Sequence, residues 1–178
     1  MRADEDDPLL TIIGIDPGLA STGYGVITVN GAKSVHRAHG VIATRPGIPG
    51  PERLLVLYDA LAALLDRFRP DEAGVEDIYF AKNSKTYTDV AQAKGVVLLA
   101  LARHGVTVKE YSPLVIKRAV AGNGRAEKSQ VQELVRIILG LSACPTPDHA
   151  SDALAAAICH GHQALFGTIK KRVERIDV

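Results

Sequence analysis

Tryptophan is absent from these 178 residues, and aromatic residues make up only 4%. Any ring-stacking role therefore falls on a handful of Tyr and Phe positions. Cysteine is almost as scarce. Cys144 and Cys159 form no C-x-x-C pair, which excludes a disulfide framework and a thiolate zinc site. They read as small buried apolar residues in a reducing, cytosolic setting. Long apolar runs are also missing, and stretches such as Gly95 to Ala102 fall far short of the ~20 residues that cross a bilayer. The first seven residues are net −3 and lack the basic and apolar regions of a signal peptide. These features predict a cytoplasmic protein with a flexible acidic N-terminus over 1–8.

What is present suits one compact domain. Apolar residues reach 47%, enough for a continuous core, and the 178-residue length favours one domain over two. The net charge of +1 hides an uneven distribution. Between Ala81 and Lys128 there are nine Lys/Arg against three acids. A basic half of this kind is compatible with a phosphate-binding face. On charge alone, solvated helix surface explains it equally well.

The hydrophobic pattern orders the elements. Leu10–Ile15 is a β-branched apolar run, and Gly23–Val29 is a second strand. Asn30-Gly31 signals a two-residue hairpin leading into a third strand around Ser34–Ala43. Helical spacing runs from Glu52 to Phe68 and stops at Pro70. Then follow a strand at Ala73–Ile78, a helix at Ser84–Arg103 and a strand at Val106–Tyr111. Ser112-Pro113 starts a short helix, since Ser caps and Pro suits the first turn. Gly122–Arg125 is a loop, and Glu127–Leu139 and Pro147–Phe166 are further helices, with a charged tail over 167–178. Strands separated by helices pair in parallel through crossovers. The predicted fold is an α/β domain over 9–166. It has a mixed five-stranded sheet, its first three strands antiparallel, and helices on both faces.

Two acids stand where apolar residues are expected. Asp16 ends the first strand in Gly14-Ile15-Asp16-Pro17-Gly18, and Glu76 lies within Ala73-Gly74-Val75-Glu76-Asp77-Ile78. Turn chemistry accounts for Pro17 and Gly18 but not for a carboxylate so near an apolar run, since a buried carboxylate needs a partner. Neighbouring strands would bring the two acids side by side, where they repel unless a cation lies between them. A third contribution comes from Pro147-Asp148-His149-Ala150-Ser151-Asp152, where His149 and Asp152 share one helix face. Asp148 is placed to cap that helix, and Asp152 alone would be an ordinary first-turn acid. Together, three acids and one imidazole from separated segments form a hard-donor set suited to Mg²⁺ or Mn²⁺. Two such ions roughly 3.5–4 Å apart can bracket an in-line attack on a phosphodiester. Asp16 would be shared by both ions. His149 is placed either to ligate one ion or to assist proton transfer.

Four segments in order carry a resemblance to a known family. They are Ile13-Gly14-Ile15-Asp16-Pro17-Gly18 with Thr22-Gly23-Tyr24-Gly25, Val75-Glu76 with Ala81-Lys82-Asn83, Val120 to Gln132 with Ala126-Glu127-Lys128-Ser129, and Asp152-Ala153-Leu154-Ala155. Jointly they resemble the RuvC family of bacterial Holliday-junction resolvases over about Leu9 to His162. The resemblance implies a ribonuclease-H-like fold and a homodimer. It implies an endonuclease that nicks two strands of like polarity across a four-way junction, leaving 5′-phosphate and 3′-hydroxyl ends, and that works with a RuvA–RuvB branch-migration complex. It implies catalytic, metal-holding roles for Asp16, Glu76, His149 and Asp152. Many relatives carry Asp at the position of His149. It places Tyr79 as a base-stacking aromatic, with Phe80 beside it, and Lys117 and Lys128 near the scissile phosphate. Lys82, Asn83, Lys85, Arg118, Arg125 and Ser129 would extend the DNA-binding track. Phosphate contacts of this kind position a protein without reading sequence. Small residues in the Ser84–Arg103 helix (Ala91, Ala93, Gly95) suit close packing against a twin.

Other readings meet obstacles. An actin-like sugar kinase or ATPase also begins Gly-Ile-Asp-x-Gly, but needs two related domains, and this chain is too short. A small nuclease of ribosomal RNA precursors fits the basic loop and Lys128 region poorly. A non-catalytic junction-binding module would gain nothing from carboxylates facing phosphates. Gly122-Asn123-Gly124-Arg125-Ala126-Glu127-Lys128-Ser129 is not a P-loop, because Glu127 stands where that motif requires Gly.

Overall fold

The computed structural model describes residues 9–78 and 84–176. Its elements follow the expected order. Strands β1 (Leu10–Asp16), β2 (Ser21–Asn30) and β3 (Lys33–Ala43) precede α1 (Gly50–Phe68), β4 (Glu72–Glu76), α2 (Ser84–Arg103) and β5 (Thr107–Tyr111). Helices α3 (Pro113–Ala121), α4 (Lys128–Leu139) and α5 (Asp148–Ile176) complete the chain. The sheet order is β3-β2-β1-β4-β5. β1 pairs antiparallel with β2, and β2 with β3, whereas β1–β4 and β4–β5 are parallel. This is the mixed five-stranded sheet predicted above.

The central strands bury both faces, so two cores form. On one face Ile13, Ile15, Val26 and Val75 meet Leu57, Leu61 and Leu65 of α1 and Val97 and Leu101 of α2. The i, i+4 spacing of the three α1 leucines produces that single apolar stripe. On the other face Ile12 and Ile27 meet Val131 and Val135 of α4 and Leu154 and Ile158 of α5.

Local signals mostly act as expected. The Ser112 side chain accepts from the Val115 N–H, with Pro113 opening α3. Glu127 is the N-cap of α4, and its backbone N–H donates to the Gln130 side chain at 3.0 Å. Three details differ. The hairpin turns on Gly31-Ala32, flanked by the Asn30–Lys33 pair, because Gly31 takes the left-handed φ of 55° that the first turn position needs. Asp148 does not serve as a cap. It lies in the first turn of α5 and directs its carboxylate at Gln132 and Lys128. Finally, α5 continues to Ile176, past the expected end at Phe166, since the stretch Lys170 to Arg175 is rich in helix formers and a lone Gly167 is tolerated.

Candidate active site

The site assembles at the carboxyl ends of the central parallel strands. Asp16 is the last residue of β1 and Glu76 the last of β4. Ile15 is level with Val75, so both acids leave adjacent strands together. α5 delivers the rest by lying unusually close to the sheet. A Cβ at Gly14 would sit 1.9 Å from the Ala153 carbonyl oxygen, and one at Gly23 would sit 1.9 Å from that of His149. Helix backbone thus touches strand backbone, which only glycine permits. One turn of α5 then brings His149 and Asp152 over Asp16.

Ligand atoms of Asp16, His149 and Asp152 lie within 4.8 Å of one another. His149 Nδ1 is 2.6 Å from Asp16 Oδ2. Glu76 stands apart from this compact trio and faces it from β4. It lines a cavity of about 200 Å³ together with Asp152, Lys117, Lys128 and the apolar Ile116 and Val131. Lys128 Nζ lies 3.1 Å from Asp152 Oδ2 and 3.2 Å from Asp148 Oδ2.

Electrostatics describe carboxyls crowded at a buried centre. Burial pushes the Glu76 carboxyl up to about 8, reinforced by repulsion from Asp16 and Asp152. Burial also raises Asp16, opposed by its bond to His149. Lys128 is held in its charged form: burial works against its charge, and its bonds to Asp152 and Asp148 outweigh that. The donor set and its repulsion fit a divalent cation. Hard oxygens with one imidazole are at hand, and added positive charge would favour the ionised carboxylates. The group Asp16, His149 and Asp152 is able to hold a metal ion.

The DNA-contact candidates are dispersed. Lys117 and Lys128 converge on the Glu76 cavity. Arg118 and Arg125 are exposed on α3 and the loop after it. Ser129, in the first turn of α4, lines a separate open cleft with Asn123, Gln130 and Glu133, and is not gathered into the site. Tyr79, Phe80, Lys82 and Asn83 lie outside the described residues, as does the Lys85 side chain.

The sequence profile of the family described as crossover junction endodeoxyribonuclease RuvC matches residues 12–160. The chain belongs to this family. Among curated relatives, the RuvC of Treponema denticola is 54% identical over 147 residues, 83% of each protein. That of Chloroflexus aurantiacus is 51% identical over 152 residues, 85% of this chain and 93% of the relative. Among solved structures, T. thermophilus RuvC in complex with Holliday junction substrate superposes with a TM-score of 0.85 at 38% identity, covering 89% of this chain and 97% of that one. The sheet and flanking helices are thus a RuvC fold of the ribonuclease-H-like kind.

Sequence reading missed two features of this RuvC site. Asp148 pairs with Lys128 across 20 positions of chain, and Lys94 of α2 meets Asp77 and Glu110 at the exits of β4 and β5. Ion pairs between distant elements leave no periodic trace in a sequence. Only the adjacency of Asp148 to His149 offered a hint.

Proposed function

We propose that this chain resolves four-way DNA junctions by metal-dependent nicking of two strands of like polarity, acting as a homodimer. The observation that carries this reading is the convergence of Asp16, His149 and Asp152 on one point, with Glu76 facing them and Lys117 and Lys128 alongside. Asp16, Glu76, His149 and Asp152 are assigned as the metal-holding set, for Mg²⁺ with Mn²⁺ as a substitute, and two ions per site. Bound there, the divalent charge would lower the barrier to hydrolysis by polarising the phosphodiester and its attacking water.

The protein's own groups prepare that chemistry. Lys117 and Lys128 line the cavity wall and are placed to take a phosphate oxygen each. In doing so Lys128 would exchange Asp152 for DNA, leaving that carboxylate free to ligate. Asp16 holds the His149 ring through Nδ1, which fixes its orientation. The buried apolar wall of Ile116 and Val131 limits bulk water on one side. Tyr79 is assigned to stack on an unpaired base and Phe80 to support it, with Lys82, Asn83, Lys85, Arg118, Arg125 and Ser129 as outlying backbone contacts. A RuvA–RuvB motor is the proposed partner that presents the junction.

The outward side of α2 is the proposed dimer surface. The structure buries Ala93 against its own sheet, so it is not free for a twin. Gly95 has nothing within 4 Å of its Cβ position, and Leu99 is 56% exposed. Both therefore face away from the domain.

The deciding experiment offers a synthetic four-way junction and a linear duplex to the protein, in Mg²⁺ and in EDTA. Paired, symmetric nicks with 5′-phosphate ends are expected on the junction alone and only with Mg²⁺. Asp16→Asn is expected to bind the junction and leave it uncut. Equal cutting of the linear duplex, or normal cleavage by Asp16→Asn, rejects the reading.

A further inference from the structure

Lys94 is the most enclosed ion-paired lysine among the described residues. Its side chain is 13% exposed, and its ammonium meets both Asp77 Oδ1 and Glu110 Oε2. A cation so enclosed is retained only with partners. What sets the partners apart is where they stand. Asp77 directly follows Glu76, and Glu110 lies one residue before the end of β5.

Glu76 is the last residue of β4 and lines the same cavity as Asp152, and the chain leaves the sheet immediately after it. A strand end frays unless contacts beyond it hold it. Two contacts do so. The Asp77 N–H donates to the Tyr111 carbonyl at 2.8 Å, extending the β4–β5 ladder one residue past the strand. The Asp77 carboxylate is then fastened to Lys94 and accepts the Ile78 N–H at 2.8 Å. Lys94 belongs to α2, the helix that resumes just beyond residues 79–83, so one side chain ties the exit of β4 to the next element.

We propose that Lys94 is a positioning residue that clamps the exit of β4 through Asp77, holding the Glu76 side chain beside Asp16 and Asp152 so that the metal-binding set is formed before metal or DNA arrives. This rests on the assignment of Glu76 to the metal-holding set. Outer partners of this kind change metal affinity by about 10–100-fold when removed.

Positioning and simple charge predict opposite signs. Deleting a cation near an acidic centre should tighten divalent binding if only Coulomb forces act. If Lys94 positions Glu76, binding should weaken. Mn²⁺ binding to the DNA-free full chain, followed by electron paramagnetic resonance, separates the two. K94M is expected to bind Mn²⁺ about tenfold more weakly than wild type. D77N, at a residue 51% exposed, cuts the same clamp with little risk to folding and should show the same loss. Because it also removes a negative charge, that loss counts only where it exceeds the loss in E110Q, which removes an equal charge. E110Q spares the Lys94–Asp77 contact and should stay within about twofold. Equal or tighter Mn²⁺ binding by K94M overturns the proposal, and if K94M does not fold, a D77N loss no larger than that of E110Q overturns it. An equal loss in E110Q also overturns it, since the cluster would then be a general brace. Wild-type junction cleavage is measured in parallel. A wild type that cuts while K94M and D77N bind Mn²⁺ normally sinks only the role of Lys94. A wild type that neither binds Mn²⁺ nor cuts sinks the metal site and this clamp with it.

Discussion

At neutral pH Glu76 holds its proton in the metal-free protein, because burial and then the Asp16 and Asp152 carboxylates push it up to about 8 from an ordinary 4.5. The folded state therefore binds more protons than the unfolded chain between those two values. Stability must fall as pH rises through that window and level off above it. Glu76→Gln removes the titration. In EDTA its melting temperature should exceed that of wild type at pH 8.5, and the gap should close near pH 4.5, as scanning calorimetry would register. A gap of constant size would mean that Glu76 does not titrate as its surroundings dictate. His149 offers a second case. With Nδ1 turned to Asp16 inside the ligand cluster, it stands where a carboxylate would serve the same cation. His149→Asp should retain junction cleavage, and His149→Ala should lose it by at least about 100-fold. Retained cleavage in the alanine variant would remove His149 from the ligand set. Asp16 and Glu76 were legible because an acid amid an apolar strand needs an explanation, and His149 because it shares a helix face with Asp152. Lys94 and Asp148 were not legible, since their meaning comes from partners on other elements.

The close seating of α5 on the sheet is set by glycine positions in β1 and β2. In Gly14→Ala the new methyl meets the backbone oxygen of Ala153, which no rotamer change can relieve. The helix must retreat, at a cost of roughly 1–3 kcal/mol typical of overpacking. The same retreat would pull Asp152, one residue before the contact, away from Asp16. Gly14→Ala should therefore lower the urea midpoint and abolish Mg²⁺-dependent cutting, while Lys117 on α3 keeps its place beside the cavity. Unchanged cutting would show that the helix tolerates the shift. At this scale sequence periodicity performed well: every strand and helix was anticipated, with ends displaced by a residue or two for most. The hairpin slipped because Asn30-Gly31 and Gly31-Ala32 both contain the glycine, and cross-strand register decides which pair turns. What periodicity could not convey is the backbone contact between α5 and β1, which makes Gly14 part of the site.

Paired nicking of a symmetric junction asks for two sites related by a two-fold axis, so the whole molecule must offer a self-complementary surface. α2 turns Ala93, Val97, Ala100 and Leu101 to its own core and leaves Gly95 and Leu99, one turn apart, facing outward. A small residue next to a large apolar one lets a second helix approach and then fills the gap. A charge at the centre of such a contact would be buried without a partner, at a cost that a modest interface cannot absorb. Leu99→Glu should therefore sediment as a monomer at concentrations where the proposed wild-type dimer forms. Its circular dichroism and Mn²⁺ binding should be unchanged, because Leu99 touches neither core nor site. On a junction the monomer should release singly nicked product, since the second cut no longer occurs within the lifetime of the same complex. A dimeric Leu99→Glu would move the interface off this face of α2, and a monomer that still makes paired cuts would break the link between symmetry and resolution.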